Sequence, residues 1–78
     1  MSKFPKISGK QMIKYLQNEG FIITQRKGSH ATLRNGNIIT VVPVGNKKMR
    51  VKTQFAILLY ANISKEKFID DHENKLTK

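Results

Sequence analysis

The segment QRKGSHATLR, residues 25–34, places two cations, a glycine and a serine directly before a histidine. Histidine has an ordinary pKa of about 6.5, so its ring takes up or releases a proton near neutral pH. His30 therefore has three interpretations. It is a catalytic acid or base, a contact to phosphate in a groove, or a structural residue at a strand edge that hydrogen bonds to the backbone.

The residues before His30 suit a phosphodiester substrate. RNA carries its own nucleophile, so a ribonuclease needs only to deprotonate a 2′-hydroxyl, stabilise charge on phosphorus and assist the leaving oxygen. Arg26 and Lys27 can clamp the phosphate and stabilise the negative charge that develops on it. Gly28 lets an RNA backbone approach closely and lets the chain turn. Ser29 either donates to a phosphate oxygen or only satisfies the start of a strand.

Four further lysines are candidates for phosphate binding. Lys10 and Lys14 are four residues apart in a helical stretch, so they can reach the same ligand. Lys47 and Lys48 lie in a basic loop and can join the clamp around the phosphate. For Lys10 or Lys14 taken alone, a solvated position on the helix is the more common explanation. His72 lies among carboxylates in a polar tail, which we interpret as solvated; we expect neither a metal nor a cofactor.

The net positive charge of the chain falls entirely in its first two-thirds. The formal net charge is +10, and all of it falls in residues 1–52, where Glu19 is the one carboxylate. Residues 53–78 carry as many anions as cations. Such a field attracts a polyanion, and nucleic acid is the commonest polyanion in a cell. The alternative is a lysine-rich surface that serves solubility.

Length and composition predict one small domain over residues 1–78, with a core over about 8–70. The chain is 38% hydrophobic and 26% charged, and it has no cysteine, which suits a reducing interior. The N-terminus has cations but no apolar stretch like that of an export signal, and no run approaches the ~20 apolar residues of a membrane helix. We expect a cytoplasmic protein that does not associate with membranes.

The apolar pattern of the first half predicts one helix followed by three strands. Ser8 is a plausible N-cap for a helix over about 9–19, and Gly20 suits its end. Three β-branched or alternating runs predict strands over residues 21–25, 30–34 and 37–43. Since short turns join them, these strands are expected to form an antiparallel sheet.

The second half predicts two more helices. Thr53 is expected to cap an apolar helix over 54–61 that is buried nearly all round. Ser64 is expected to cap a short third helix, which Phe68 anchors. The polar residues 72–78 are expected to fray.

The turn at Asn35-Gly36 decides which side chains share a face of the sheet. A two-residue loop there would place apolar residues opposite polar ones, so we favour a three-residue or bulged turn with Gly36 at positive φ. This register groups Ala31, Leu33, Ile39 and Val41 on one face, and His30, Thr32 and Thr40 on the other. Both longer helices then pack on the apolar face. The prediction is an α+β fold like that of double-stranded RNA-binding domains, with His30 on the open face.

These motifs together resemble the HicA toxin family, the mRNA interferases of type II toxin–antitoxin pairs. The resemblance covers residues 8–70 or so, from GKQMIKYLQNEGF through RKGSH and the strand ending in VVP to TQFAILLYANISKEKF. It implies a double-stranded-RNA-binding-like fold and a metal-independent ribonuclease that requires His30. It also implies a HicB-type antitoxin that binds the toxin and shields His30.

One departure from the family pattern keeps a second hypothesis open. The family often has another histidine soon after the proline, whereas Pro43 is followed here by Val44 and Gly45. The first hypothesis is a toxin, monomeric when alone, that cleaves messenger RNA with His30 as general acid or base. The second is a double-stranded RNA-binding module without catalysis, which uses the same basic residues. A purely structural protein would leave the basic half of the chain unexplained.

Overall fold

The computed structural model describes residues 4–77, with the side chains of residues 4–73. Its elements follow the predicted order and include a three-stranded antiparallel sheet with β2 at its centre. They are α1 (Gly9–Asn18), β1 (Ile22–Lys27), β2 (His30–Asn35), β3 (Ile38–Pro43), α2 (Val51–Tyr60) and α3 (Lys65–Thr77). The predicted α+β fold is confirmed. In the range described, no helix is both long and apolar enough to cross a membrane.

Helix α1 begins at a capping box. The Ser8 hydroxyl accepts a hydrogen bond of 3.1 Å from the Gln11 backbone N–H, and the Gln11 side chain accepts one of 3.0 Å from the Ser8 N–H. These bonds satisfy amides that the start of a helix leaves without partners. The helix ends before Gly20, whose φ of 102° is readily adopted by glycine. The predicted start and end of α1 are thus confirmed.

Two tight hairpins join the three strands. Each loop has two residues and begins with a glycine at positive φ, Gly28 at 58° and Gly36 at 64°. Two-residue loops with such a glycine match the natural twist of paired strands. The first loop, Gly28-Ser29, sets His30 directly opposite Lys27. The positive φ predicted for Gly36 is confirmed, although the loop itself is Gly36-Asn37.

The predicted register between β2 and β3 is wrong by one residue. Leu33 lies opposite Thr40, and not opposite Ile39. The buried face of the sheet therefore includes Thr40 and Val42, while Ile39 and Val41 are 50% and 46% exposed on the outer face. A shift of one residue in register exchanges the two faces of a strand.

The hydroxyl of Thr40 explains why the apolar pattern misled the prediction. Its Oγ1 donates a hydrogen bond of 3.0 Å to the carbonyl oxygen of Ile57 in α2. A polar group that finds a partner can be buried at little cost. The pattern counts Thr40 as polar and places it outside, because a partner that is 17 residues away cannot be read locally.

Helix α2 starts earlier and is less buried than predicted. It begins at Val51, with Arg50 as an N-cap that makes no side-chain capping bond. Thr53 therefore lies in the first turn and is not the cap. Leu59 and Tyr60 are 76% and 67% exposed, so the prediction of a helix buried nearly all round is wrong. Its buried residues are Gln54, Ile57 and Leu58.

The buried amide of Gln54 ties α2 to the segment that precedes α1. Its Oε1 accepts a hydrogen bond of 2.9 Å from the Ile7 N–H, and its Nε2 donates one of 2.8 Å to the Pro5 carbonyl oxygen. An amide buried without such bonds would cost free energy. The chain before Gly9 is thereby held in place.

Helix α3 is longer than predicted and packs on α1. Ser64 accepts a hydrogen bond of 3.1 Å from the Lys67 N–H, which confirms it as the cap. Phe68 is buried and its ring lies edge-on to that of Tyr15, with 5.1 Å between centroids. The helix continues through residues 72–77, which were expected to fray, and residue 78 lies outside the described range.

A polar cluster also joins α3 to the end of α1. The Tyr15 hydroxyl donates a 2.7 Å hydrogen bond to Oδ2 of Asp71, and Lys67 Nζ lies 2.8 Å from the same oxygen and 3.0 Å from Oε1 of Glu19. The hydrogen bond from Lys67 lowers the pKa of Asp71 below its ordinary value. Burial, and then the bond to Asp71, raise the pKa of Tyr15 far above its ordinary value.

The raised pKa of Tyr15 predicts a loss of stability in alkali. The folded pKa is above the unfolded value, so the contribution of the neutral phenol is complete below about pH 10 and is lost as the pH rises beyond it. Tyr15→Phe keeps the ring contact but has no hydroxyl to ionise. The gap in unfolding free energy between wild type and variant should stay constant up to about pH 10 and narrow as the pH is raised above it, as measured by urea unfolding. A constant gap would contradict the prediction.

Candidate active site

His30 is the first residue of β2 and its side chain is exposed on the outer face of the sheet. It lies between Lys27 on β1 and Pro43 on β3, which pair with it from either side. Because directly paired residues share a face, the Lys27 ammonium and the His30 ring project from the same side of the sheet. The prediction that His30 points away from the core is confirmed.

The surroundings of the His30 ring leave it accessible. Ser29 Oγ lies 3.4 Å from Nδ1, and the carbonyl oxygen of Ser29 accepts a 2.6 Å hydrogen bond from the Val44 N–H. The backbone of Ser29 is thus anchored while its hydroxyl stays beside the imidazole. Among the described residues, no backbone group hydrogen bonds to the ring. The Nε2 atom therefore has room for an external partner.

A groove of about 440 Å³ leads away from His30 between β3 and α2. One wall consists of Ile39, Val41 and Pro43. The other wall is a single face of α2, and its residues follow helical spacing: Thr53, Ala56, Ile57 and Tyr60. This wall was not anticipated from the sequence, because Thr53 was assigned to the cap and Tyr60 to the core.

Arg26 and Lys10 lie in a different cavity from His30. Arg26 pairs with Ala31, which is buried, so its side chain leaves β1 on the face opposite to that of His30. A cavity of about 440 Å³ is lined by both cations together with the loop at Gly45-Asn46. The sequence predicts that Arg26 and His30 act on the same phosphate. The strand register instead directs their side chains to opposite faces of the sheet.

The remaining predicted lysines are also distributed away from His30. Lys14 lines a third cavity, of about 300 Å³, with Tyr15, Asp71 and His72. Lys47 and Lys48 lie in the loop after β3, where Lys48 forms an isolated bridge to Ser8. Of the predicted site residues, the structure brings together Lys27, Gly28, Ser29 and His30.

Most cations of the described residues form no ion pair within the chain. Lys67 is the one whose side chain lies within ion-pair distance of a carboxylate in the part of the chain described with side chains. Lys27 and the lysines of the loop after β3 are exposed. Their charges are therefore available to an external anion. Within the same range, no group of three or more His, Cys, Asp or Glu residues is arranged to hold a metal ion.

Comparison with known families matches most of the chain to one of them. The model of the family described as HicA toxin of bacterial toxin–antitoxin matches residues 9–63. This span runs from the first residue of α1 past the end of α2, so it contains His30 and both walls of the groove. A comparison with curated proteins finds no match.

Proposed function

Because the chain belongs to the HicA toxin family of bacterial toxin–antitoxin systems, we propose that it is a metal-independent endoribonuclease that cleaves messenger RNA. His30 is its general base. The observation that carries the proposal is the exposed His30 ring, set opposite Lys27 at the head of a groove. Membership of the family identifies the chain as a toxin and implies an antitoxin partner. The nuclease activity and the role of His30 are our inference.

The cleavage uses the nucleophile that RNA itself carries. Neutral His30 takes the proton of a 2′-hydroxyl, O2′ forms a bond to phosphorus and the bond from phosphorus to O5′ breaks. The products are a 2′,3′-cyclic phosphate and a 5′-hydroxyl, with solvent protonating the leaving oxygen. The Lys27 ammonium, opposite His30 in the ladder, stabilises the negative charge that develops on the phosphoryl oxygens.

Two hydroxyl groups supplement this pair. Ser29 lies beside the imidazole and can hold the ring or donate to a phosphoryl oxygen. Thr53, on the first turn of α2, faces the same groove and can donate to the RNA strand that enters it. One base with this support gives general acid–base catalysis of about 10²–10⁴-fold, so the enzyme is slow.

The antitoxin acts on the same face of the sheet. A HicB-type antitoxin covers His30 and blocks access of RNA by occlusion. The net charge of +10 attracts an acidic partner and speeds the encounter. The toxin acts in the cytoplasm, since the messenger RNA that it cleaves is there. Without its antitoxin it is a monomer.

One observation favours a second candidate function, a double-stranded RNA-binding module without catalysis. The predicted phosphate-binding cations are spread over two cavities and a loop, and only Lys27 accompanies His30. A broad basic surface of this kind suits recognition of an RNA duplex by its shape. Such a module would bind RNA strongly at low salt and leave it intact.

Cleavage in the presence of a chelator distinguishes the two functions. Purified protein incubated with a messenger RNA transcript and EDTA should yield fragments with 2′,3′-cyclic phosphate and 5′-hydroxyl ends. Induction of the same protein in bacteria should arrest growth and deplete messenger RNA. Salt-sensitive binding with no fragments after long incubation would establish the binding module. Cleavage that EDTA abolishes would contradict the metal-independent mechanism.

A further inference from the structure

The outer edge of β3 has backbone groups that the sheet does not use. A two-residue hairpin loop is flanked by a pair of residues that exchange both hydrogen bonds, so Asn35 and Ile38 form such a pair. These pairs alternate along the ladder, which directs the N–H and C=O groups of Thr40 and Val42 toward β2. The corresponding groups of Ile39 and Val41 then point away from the sheet.

These outward groups are unpaired in the described chain. β3 is an edge strand, and no hydrogen bond outside the ladder involves the Ile39 or Val41 backbone among the described residues. An edge strand of this kind is a template for pairing with another extended chain. β3 has six residues, enough for a partner strand of about 20 Å.

The groove beside this edge has the shape and chemistry for such a strand. Its walls are the edge of β3 and the exposed face of α2, and its exposed apolar side chains include Ile39, Val41 and Tyr60. Thr40 and Ile57 are buried, and they line it between the two walls. An extended peptide that pairs with an edge strand beside a helix gains affinity from main-chain hydrogen bonds and specificity from alternate side chains.

We propose that the antitoxin inserts an extended segment into this groove and pairs with β3 as a fourth strand of the sheet. This inference rests on the proposed function only in taking the partner to be the antitoxin. The segment has apolar side chains on the face that meets Ile39, Val41 and Tyr60. Acidic side chains accompany them, because exposed cations lie on the outer face of the sheet and at the start of α2.

The exposed cations near the groove favour an acidic protein as its occupant. Lys27 and Arg34 project from the outer face of the sheet, and Arg50 and Lys52 precede Thr53 at the start of α2. None of these four forms an ion pair within the described side chains. RNA shares the negative charge but offers no peptide groups to pair with β3, and three large apolar side chains suit a peptide better.

The position of His30 gives the inserted strand a regulatory effect. His30 pairs with Pro43, the last residue of β3, and it lines the same groove. A strand that fills the groove along β3 ends beside the imidazole. Occlusion of His30 therefore follows from strand addition, without a separate contact to the ring.

Hydrogen exchange in the toxin–antitoxin complex tests the added strand directly. The toxin is labelled with ¹⁵N and co-expressed with its cognate antitoxin, and amide exchange is compared with that of the free toxin. Exchange of the Ile39 and Val41 amides should slow at least about tenfold in the complex. The Arg26 amide is a matched control, because the same alternation directs it to the free edge of β1, and it should not change.

Variants at the adjacent residues Tyr60 and Leu59 test whether the antitoxin occupies the groove. Tyr60→Ser should weaken antitoxin affinity by about tenfold or more, as truncation of an aromatic anchor does. Leu59→Ser should have little effect, since Leu59 is at least as exposed as Tyr60 but does not line the groove. Both residues are on the surface, so both variants should fold.

Each alternative outcome has a defined meaning. Unchanged exchange at Ile39 and Val41, or equal losses from Tyr60→Ser and Leu59→Ser, would overturn the strand addition. Slowed exchange caused by RNA and not by the antitoxin would assign the groove to RNA and also overturn it. RNA cleavage is assayed without antitoxin, so failure of the nuclease proposal would be recognised separately.

Discussion

Replacing His30 with alanine will lower the rate constant of RNA cleavage by about 10²–10⁴-fold, the usual contribution of a positioned acid–base group. The substitution removes the base that accepts the 2′-hydroxyl proton. It should leave the fold intact, because the ring is exposed and its Nδ1 makes only a long contact of 3.4 Å with the hydroxyl of Ser29 among the described residues. Single-turnover cleavage of a defined transcript measures the effect.

The second histidine of the chain provides the matched control. His72 lies on α3 near Phe68, with 6.5 Å between ring centroids, and lines a cavity that does not contain His30. His72→Ala should cleave at the wild-type rate, and both variants should unfold near the wild-type temperature. RNA binding by His30→Ala should persist, since Lys27 and the other cations remain. Equal losses in the two variants, or full activity in His30→Ala, would show that His30 is not the base.

Replacing Gly9 with alanine will destabilise the protein by about 3 kcal/mol, the upper part of the range for an overpacked core. Gly9 is the first residue of α1 and is buried. A Cβ built on it would fall on the carbonyl oxygen of Pro43, far inside van der Waals contact. That neighbour is backbone and is held by the β2–β3 ladder, so it cannot rotate away as a side chain would.

The effect should appear in both stability and activity. For a domain of this size the melting temperature should fall by on the order of 15 °C. Gly45→Ala is the control, because its added Cβ meets nothing within 4 Å, and its cost should stay within about 0.5 kcal/mol. Since Pro43 pairs with His30, a displacement of Pro43 should also slow cleavage. Equal stability of the Gly9→Ala and Gly45→Ala variants would show that the start of α1 shifts to accommodate the added Cβ without loss of stability.

Local signals in the sequence were reliable where neighbouring residues satisfy one another. Ser8 and Gln11 are three residues apart and cap α1 by bonding each other. Gly20 and Gly36 occupy positive φ because few other residues do so without strain. The outward position of His30 was also predicted correctly, since it depends on the alternation within β2 alone.

The face of β3 could not be read in the same way. Ile38, Ile39, Val41 and Val42 are all β-branched and apolar, so either register buries two of them, and the choice depends on a single hydroxyl. Thr40 can be buried because its hydroxyl donates a hydrogen bond to the carbonyl oxygen of Ile57 in α2. The wrong register hid the groove, because it placed Ile39 and Val41 in the core.

The sequence alone was sufficient for the family resemblance, the order of elements, the hairpin glycines and the exposed histidine, since each depends on residues close together in the chain. The tertiary structure decided which cations accompany His30, retaining Lys27 and directing Arg26 to the opposite face. It also created the groove, by setting one face of α2 against the edge of β3. These features depend on contacts between residues far apart in sequence, and the free energy of those contacts outweighs local preference.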